Sequence, residues 1–115
     1  MRVHHLALRV ADPERAAAFY RGLLGLEELR RFEEAGGLRS VWLKAGDAVL
    51  MLERALRGPG AAAGSAHVLA FAVDDLQGWE SRLAGAGIAV ADRTLHTLYI
   101  NDPDGHRVGL TVYGG

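Results

Sequence analysis

Hydrophobic and polar positions follow a pattern along this chain that occurs twice. The first copy is an apolar strand-like segment that ends at Val10 and is followed by Asp12; the second ends at Val73 and is followed by Asp75. Each aspartate precedes apolar residues at helical spacing, which is where a helix N-cap belongs. The two copies are offset by 63 residues, so the pattern predicts an internal repeat.

Three further strand-like segments follow the first predicted helix and complete one β-α-β-β-β unit. The helical pattern begins at Pro13 and stops at Gly25, because proline suits the first turn of a helix and glycine suits its end. Strands are then predicted at Leu26 to Glu34, Leu38 to Lys44 and Ala48 to Glu53. The first of these strands is rich in charge, which is typical of a solvated sheet edge or of a dimer contact.

The second unit repeats this order. Its helix follows Asp75, and its strands are predicted at Ile88 to Ala91, Leu95 to Asn101 and Arg107 to Tyr113. The sequence Asp102-Pro103-Asp104-Gly105 predicts a tight turn between the last two strands. Positions 57–65 consist mostly of small residues, glycine and proline, which predicts a linker or a mobile loop. We therefore expect a single domain over residues 1–115, with module one at 1–56, the linker at 57–65 and module two at 66–115.

Composition restricts the classes of function. A chain of 115 residues with 50% hydrophobic content can bury one core, and a net charge of −1 gives no reason to expect nucleic acid or an anionic membrane as partner. The absence of cysteine excludes disulfides, thiolate metal sites and a cysteine nucleophile. No apolar run approaches the roughly 20 residues of a membrane helix, and the start does not resemble a signal peptide. A cytoplasmic location is the expectation.

Four segments in fixed order resemble a known superfamily. They are HLALRVAD at 5–12, FYRGLLGL at 19–26, FAVDDL at 71–76 and YINDPDG at 99–105. Together they are similar to the vicinal oxygen chelate superfamily, which includes glyoxalase I, extradiol dioxygenases and the fosfomycin and bleomycin resistance proteins. The resemblance covers nearly the whole chain and implies an α+β fold. In that fold two tandem β-α-β-β-β modules form one curled mixed sheet around a cavity, often within a homodimer.

The resemblance also implies four positions for metal ligands, which we call the slots. Members with metal chemistry bind a divalent ion through one side chain from the first and one from the last strand of each module. Here the slots fall on His5, Met51, Val68 and Gly109. Only His5 is a good ligand, because a thioether suits hard ions poorly and the other two side chains have no donor atom. We therefore expect no metal cofactor.

Neighbouring residues keep a metal site open as an alternative. His67 lies one position from its slot, and a β-bulge would turn it to the other face of the strand. Glu53 lies two positions beyond Met51 and therefore shares its face. The set His5, His67 and Glu53 would supply two imidazoles and a carboxylate, a combination that suits ferrous iron. The protein would then be a metal-dependent lyase, isomerase or dioxygenase in which the divalent ion polarises the substrate.

Strand alternation predicts which side chains line the cavity. The inward set comprises His5, Ala7, Arg9, Trp42, Lys44, Val49, Met51, Glu53, Val68, Ala70, Thr97, Tyr99, Asn101, Arg107, Gly109, Thr111 and Tyr113. We expect the ligand-binding residues to be His5, Arg9, Trp42, Met51, Glu53, Tyr99 and Arg107. Aromatic surface beside arginine suits a small planar or acidic organic molecule. In the plainer interpretation, Trp42 and Tyr113 cover the core or a dimer interface, and Arg9 pairs with Glu53.

Three functions therefore compete at this stage. The leading hypothesis is a dimeric protein that binds a small organic molecule without a metal, with no catalytic residue assigned and enzymatic activity left open. The second is the metal-dependent enzyme that uses His5, His67 and Glu53. The third is a non-catalytic dimeric module with a structural or regulatory role. The expected partners are a small-molecule ligand and a second copy of the chain, with neither nucleic acid nor membrane.

Overall fold

Two four-stranded mixed sheets, one in each predicted module, form the frame of the protein. The computed structural model describes residues 1–58 and 67–113, and the chain divides into two compact units at 1–62 and 63–115. The α+β class and the paired β-α-β-β-β modules are confirmed. The division falls inside the predicted linker, of which residues 59–65 lie outside the described part. A single domain with one sheet around a cavity stays a prediction.

Each sheet contains its first strand beside its last. Module one consists of β1 (His5–Arg9), α1 (Pro13–Ala18), a π-helical turn (Phe19–Leu23), β2 (Glu27–Glu34), β3 (Gly37–Ala45) and β4 (Ala48–Glu53), with strand order β1-β4-β3-β2. Module two consists of β5 (Val68–Ala72), α2 (Leu76–Gly85), β6 (Asp92–Arg93), β7 (Thr97–Asn101) and β8 (Arg107–Thr111), with order β5-β8-β7-β6. Within the described residues, neither helix is long and apolar enough to cross a membrane.

The register of the parallel strand pairs repeats between the modules. In module one His5 lies opposite Val49, and in module two Val68 lies opposite Arg107. The slot residues of the last strands, Met51 and Gly109, each lie two positions further along. Equivalent slots therefore occupy equivalent places in the two sheets, as the repeat predicts.

Both helices begin with the same capping arrangement. Asp12 and Asp75 have extended backbones, and their carboxylates accept hydrogen bonds from the N–H groups two and three residues ahead. These bonds satisfy amides at the helix start that have no partner within the helix. Capping by an aspartate at each copy of the repeat was predicted, and it is confirmed.

Alternation in the strands separates an apolar core from a second, more polar face. In module one the core consists of Val41, Leu43, Leu50 and Leu52 from β3 and β4 with Ala16, Ala17, Phe19 and Tyr20 from the helical segment. In module two it consists of Leu83, Leu98, Ile100, Val108 and Leu110. All of these side chains are buried. Burial of this kind is the main favourable contribution to folding, and it fixes which side of each strand remains for other roles.

The first helical segment is not a single α-helix. Its last five residues form a π-helical turn, in which the consecutive aromatic residues Phe19 and Tyr20 are both buried with ring centroids 5.0 Å apart. Successive residues of an α-helix point about 100° apart, so a local change of helical pitch alters where two adjacent rings lie. Hydrophobic spacing alone indicates a helix and does not distinguish an α-helix from a π-helical turn.

The predicted strand at Ile88 to Ala91 is wrong. The structure has only the two-residue β6 in this region, and Ala91 is the first residue to donate a hydrogen bond to β7, at Tyr99. The reason is that the Ile88 N–H still donates to the carbonyl of Leu83 and so belongs to the end of α2. The alternation of apolar residues here belongs to the segment that leaves α2, in which Ile88 and Val90 are half-buried.

The predicted turn before β8 is confirmed, and it contains a buried carboxylate. Asp102 is 5% exposed, and its Oδ1 accepts hydrogen bonds from the N–H groups of Asp104 at 2.9 Å and His106 at 2.8 Å. Gly105 has a φ of 84°, a conformation that favours glycine, and its N–H donates to the Asp102 carbonyl. The carboxylate thus organises the whole turn.

A network of charged side chains links the helical segment of module one to β2. Arg31 donates to Glu28 through Nε at 3.1 Å and Nη2 at 2.8 Å, and its Nη2 also contacts Glu14 at 3.0 Å. Arg21 reaches Glu28 at 3.1 Å. The hydrogen bonds from Arg31, together with the charges of Arg31 and Arg21, lower the pKa of Glu28, and Glu28 and Glu14 raise the pKa of Arg31.

We expect Asp102→Ala to lower the free energy of unfolding by about 2–3 kcal/mol, because two backbone N–H groups lose a charged acceptor. Asp102→Asn should cost less, since the amide oxygen still accepts. Urea denaturation measures both effects. The control is Asp47→Ala at the exposed β3–β4 turn, where the carboxylate accepts no hydrogen bond from the described residues. Equal stability of the two alanine variants would contradict this role.

The lowered pKa of Glu28 gives a pH dependence with a defined sign. A carboxylate whose pKa is lower in the folded state stabilises the protein above its ordinary value, near 4.5, and this contribution disappears as the pH falls through the folded pKa. Glu28→Gln should therefore lower the urea midpoint at pH 7, and the difference from the unmodified protein should shrink below about pH 4.5. The control is Glu33→Gln on the same strand; a difference that persists at low pH would refute the linkage.

Candidate functional site

The side of sheet one that carries the predicted ligand-binding residues combines aromatic, charged and aliphatic side chains, and we call it mixed face one. The strand registers place on it His5, Ala7 and Arg9 of β1, Val49, Met51 and Glu53 of β4, Ser40, Trp42 and Lys44 of β3, and Arg30 and Phe32 of β2. Every module-one residue of the predicted inward set lies on this face. Whether the face borders a cavity stays a prediction.

Trp42 has a defined orientation on mixed face one. The indole is half-buried, its Nε1–H donates to Glu53 Oε2 at 3.2 Å, and its ring lies 4.9 Å from the ring of Phe32. A hydrogen bond at one edge and an aromatic neighbour restrict the rotamers of the side chain, so its remaining surface is preorganised. Trp42 and Glu53 were both predicted, and the structure brings them into direct contact.

Two residues beside Trp42, Arg30 and Phe32, were not predicted as site residues. The guanidinium of Arg30 lies 5.0 Å from the centroid of Phe32 and 5.9 Å from that of Trp42. Both residues belong to the charged strand β2, which the sequence indicated only as a sheet edge or dimer contact. A bulge at Leu29 shifts the register between β2 and β3 and sets which side chains lie opposite Trp42. The sequence did contain one sign of this cluster: Arg30 and Phe32 are two residues apart, and residues at that spacing in a strand lie on the same face.

Ser40 is also on mixed face one and was missed. The residue is fully buried, and its Oγ has no hydrogen-bond partner among the described residues. The strand register places it opposite Phe32 on one side and Glu53 on the other. Buried hydroxyls are normally hydrogen-bonded, so this atom is an unused polar group beside the aromatic cluster.

The remaining predicted residues of module one lie at the two ends of the face. Arg9, at the end of β1, donates from Nη2 to the carbonyl of Gly58 at 2.5 Å. His5, at the start of β1, contacts His4 through the Nδ1 atoms of both rings at 2.9 Å. One Nδ1 must donate and the other accept, so His5 has Nε2 left for any further ligand. Met51 lies between these ends, opposite Trp42.

Module two has a corresponding surface, mixed face two. It carries Val68 and Ala70 of β5, Thr97, Tyr99 and Asn101 of β7, and Arg107, Gly109 and Thr111 of β8. The Arg107 guanidinium lies 4.4 Å from the Tyr99 ring centroid and donates to Asp92 at 3.1 Å. Tyr99 and Arg107 were predicted site residues and are in contact. Tyr113, by contrast, lies beyond β8, is largely exposed, and has its ring 5.4 Å from that of His96.

The slot at Gly109 is tightly surrounded by its neighbours. A Cβ atom on this glycine would lie 3.4 Å from Ala70 Cβ, Thr97 Cγ2 and Tyr99 Cε1. These distances lie at the lower edge of ordinary van der Waals contact, so a long side chain at this position would have to share its space with Tyr99. Val68 provides no donor atom, so neither slot of module two offers a metal ligand, and His67, which directly precedes β5, is the imidazole of the alternative site.

The slots of module one give at most a single good ligand. Glu53 shares a face with His5, but it lies opposite Arg9, four positions along the strand pair from His5. At about 3.3 Å per residue this corresponds to about 13 Å, which is a long separation for two ligands of one ion. Within the described residues no group of three histidine, aspartate or glutamate side chains is arranged to hold a metal. The register therefore weighs against pairing His5 with Glu53 in one site.

Two surface depressions in the described part of the chain lie beside the helical segments. One, of about 340 Å³, is lined by Val73, Asp74, Asp75, Gly78, Trp79 and Arg82, and the other, of about 650 Å³, by Ala18, Arg21, Gly22, Leu26, Glu27 and Glu28. Neither includes a predicted site residue. Asp75 is committed to capping α2, and Arg21 and Glu28 pair with each other. Mixed face one, with its oriented aromatic residues, is therefore the stronger candidate.

Comparison with known proteins agrees with the fold. A family model described as the Glyoxalase/Bleomycin resistance protein/Dioxygenase superfamily matches residues 2–110. The chain is similar to the solved structure of lactoylglutathione lyase from Agrobacterium tumefaciens, with 26% identity, coverage of 99% of this chain and 97% of that one, and a TM-score of 0.77.

A second similar structure is TnmS3, an antibiotic binding protein from Streptomyces sp. CB03234, with 25% identity, 96% and 94% coverage and a TM-score of 0.75. TioX from Micromonospora sp. ML1, at 20% identity, 96% and 98% coverage and a TM-score of 0.74, shares the fold. A search of curated proteins finds no match. The repeat, the matched registers and the family model together show that this chain belongs to the glyoxalase, bleomycin resistance protein and dioxygenase superfamily.

Proposed function

We propose that the protein binds a small planar organic molecule against mixed face one, and that it does so without a metal ion. The observation that carries the proposal is the oriented Trp42, held by Glu53 at one edge and by Phe32 at its ring. A fixed aromatic surface binds a planar molecule with little loss of side-chain entropy. His5, Arg9 and Met51 lie on the same face and complete the proposed contact surface.

Mixed face two is a further candidate surface of the same chemical kind. Tyr99 and Arg107 combine an aromatic ring with a guanidinium there, although Asp92 already neutralises Arg107. The similarity to an antibiotic binding protein at 25% identity supports a binding role. The proposed partners remain a small-molecule ligand and a second copy of the chain.

An enzyme is the second candidate, because a lactoylglutathione lyase is similar at 26% identity over nearly the full length. The metal-dependent form of this candidate would use His5, His67 and Glu53. The separation of His5 from Glu53 along the strand pair and the contact of Glu53 with Trp42 favour binding without a metal. A non-catalytic dimeric module is the third possibility, and it requires no ligand.

A thermal-shift screen distinguishes these functions. The protein is first freed of metal by prolonged chelation and then tested with planar aromatic acids and their neutral amides. We expect at least one compound to raise the melting temperature, since a ligand that binds only the folded state stabilises it by mass action. Trp42→Ala should abolish the shift, and Trp79→Ala on α2 should preserve it.

Three results would count against the proposal. A screen without any stabilising compound favours the structural module. A shift that appears only after manganese, iron, nickel or zinc is restored, and that His5→Ala removes, favours the metal-dependent enzyme. A shift that Trp42→Ala leaves unchanged places the ligand elsewhere.

Gly109→Glu tests directly how much room the slot at Gly109 has. We expect the variant to lose about 1–3 kcal/mol of unfolding free energy, because the new side chain overpacks against Tyr99. Tyr99→Ala in the same chain should recover part of the loss. Gly85→Glu, where an added Cβ meets nothing within 4 Å, adds the same charge in the same module and serves as the control. A Gly109→Glu variant as stable as the control would show that the slot has room for a ligand residue.

A further inference from the structure

The arginines on and beside the two mixed faces differ in whether the guanidinium already has a hydrogen-bond or ion-pair partner. Arg9 donates to the carbonyl of Gly58, and Arg107 forms an ion pair with Asp92. Arg39, adjacent to mixed face one, pairs with Glu34 at 3.2 Å. An arginine with such a partner must exchange it before it can bind an anionic ligand.

Arg30 is in a different situation. Within residues 1–58 and 67–113 its guanidinium has no carboxylate partner and donates no hydrogen bond; its contacts are with the rings of Phe32 and Trp42. A guanidinium near aromatic faces is held by cation–π attraction, which leaves its N–H donors available. The side chain is exposed, so an incoming ligand can reach it.

The position of Arg30 relative to Trp42 is set by the strand register. Arg30 lies directly opposite Trp42 on β2, and Met51 lies opposite Trp42 on β4. Glu53, which accepts from the Trp42 indole, is also on β4. Because β3 lies between β2 and β4, the cation and the carboxylate approach the indole from the two neighbouring strands. The basic end of the surface is thus on β2 and the acidic end on β4.

We infer that Arg30 binds the acidic group of the ligand, and that the ligand is a planar aromatic carboxylate whose ring packs beside Trp42. This inference rests on the proposed binding at mixed face one and adds the chemical class of the ligand and the residue that selects it. The planar fork of guanidinium matches the two oxygens of a carboxylate. Neither Arg9 nor Arg107, the arginines that the sequence indicated, has an equally free guanidinium.

The test compares 2-naphthoate with its neutral counterpart 2-naphthamide. Binding is measured by isothermal titration calorimetry on the full-length protein, with circular dichroism to confirm that each variant is folded. We expect the acid to bind about tenfold more tightly than the amide, the size of effect that a charge-assisted hydrogen bond produces. Arg30→Gln should reduce affinity for the acid to that for the amide and leave the amide unchanged.

Two further variants make the result specific. Arg30→Lys keeps the charge but not the planar fork, so it should retain part of the preference for the acid. Arg15→Gln on α1 removes the same charge elsewhere and should leave both affinities unchanged. A loss of acid binding in the Arg15→Gln control would attribute the effect to net charge and would overturn the assignment to Arg30.

Different outcomes of these experiments contradict the role of Arg30 and the proposed binding beside Trp42. If both compounds bind equally, or if Arg30→Gln keeps the preference for the acid, then Arg30 is not the selecting residue and binding beside Trp42 stands. If the unmodified protein binds neither compound, the inference is wrong, and the Trp42-dependent shift in the screen decides separately on the proposed function. An acid preference that only Arg30→Gln removes supports both.

Discussion

The parallel pairing of the first strand of each module with its last is the constraint on which the site depends. It aligns His5 with Val49 in module one and Val68 with Arg107 in module two. A strand that slipped by one residue would turn every side chain to the other face and would place the apolar core in the position of the polar surface. The burial of Leu50 and Leu52 opposes such a slip. Packing of the core therefore also determines which residues face a ligand.

Aromatic side chains lie next to the slots of the last strand in both modules. The ring of Tyr99 lies over Gly109, and the indole of Trp42 lies opposite Met51 and holds Glu53. In both modules an aromatic residue of the third strand lies next to the slot of the last strand. Superfamily membership establishes the architecture, and the function must be argued from these side chains. Beside the slots of the two last strands, Met51 and Gly109, they present aromatic surface.

The arginines of the mixed faces differ in whether their guanidinium groups already have polar partners. Arg9 and Arg107 are engaged with neighbours of their own modules, whereas Arg30 contacts aromatic rings. An arginine that already has a partner gains little from an anionic ligand, because one favourable interaction replaces another. The count of arginines on a face is thus a poor guide to its affinity for acids. What matters is whether the hydrogen-bond donors of each guanidinium are free.

The sequence by itself determined the repeat, the capping aspartates, the turn at Asp102 and the side-chain alternation of the first, third and fourth strands of each module, because these features follow from local spacing and backbone preferences. It also placed Trp42 and Glu53 on one face, and the structure shows that they are in contact. It could not separate the exit of α2 at Ile88 from a strand, since both alternate apolar residues. Only the tertiary structure decided that Arg30 and Phe32 join Trp42, because the bulge at Leu29 and the pairing of β2 with β3 are properties of two strands together.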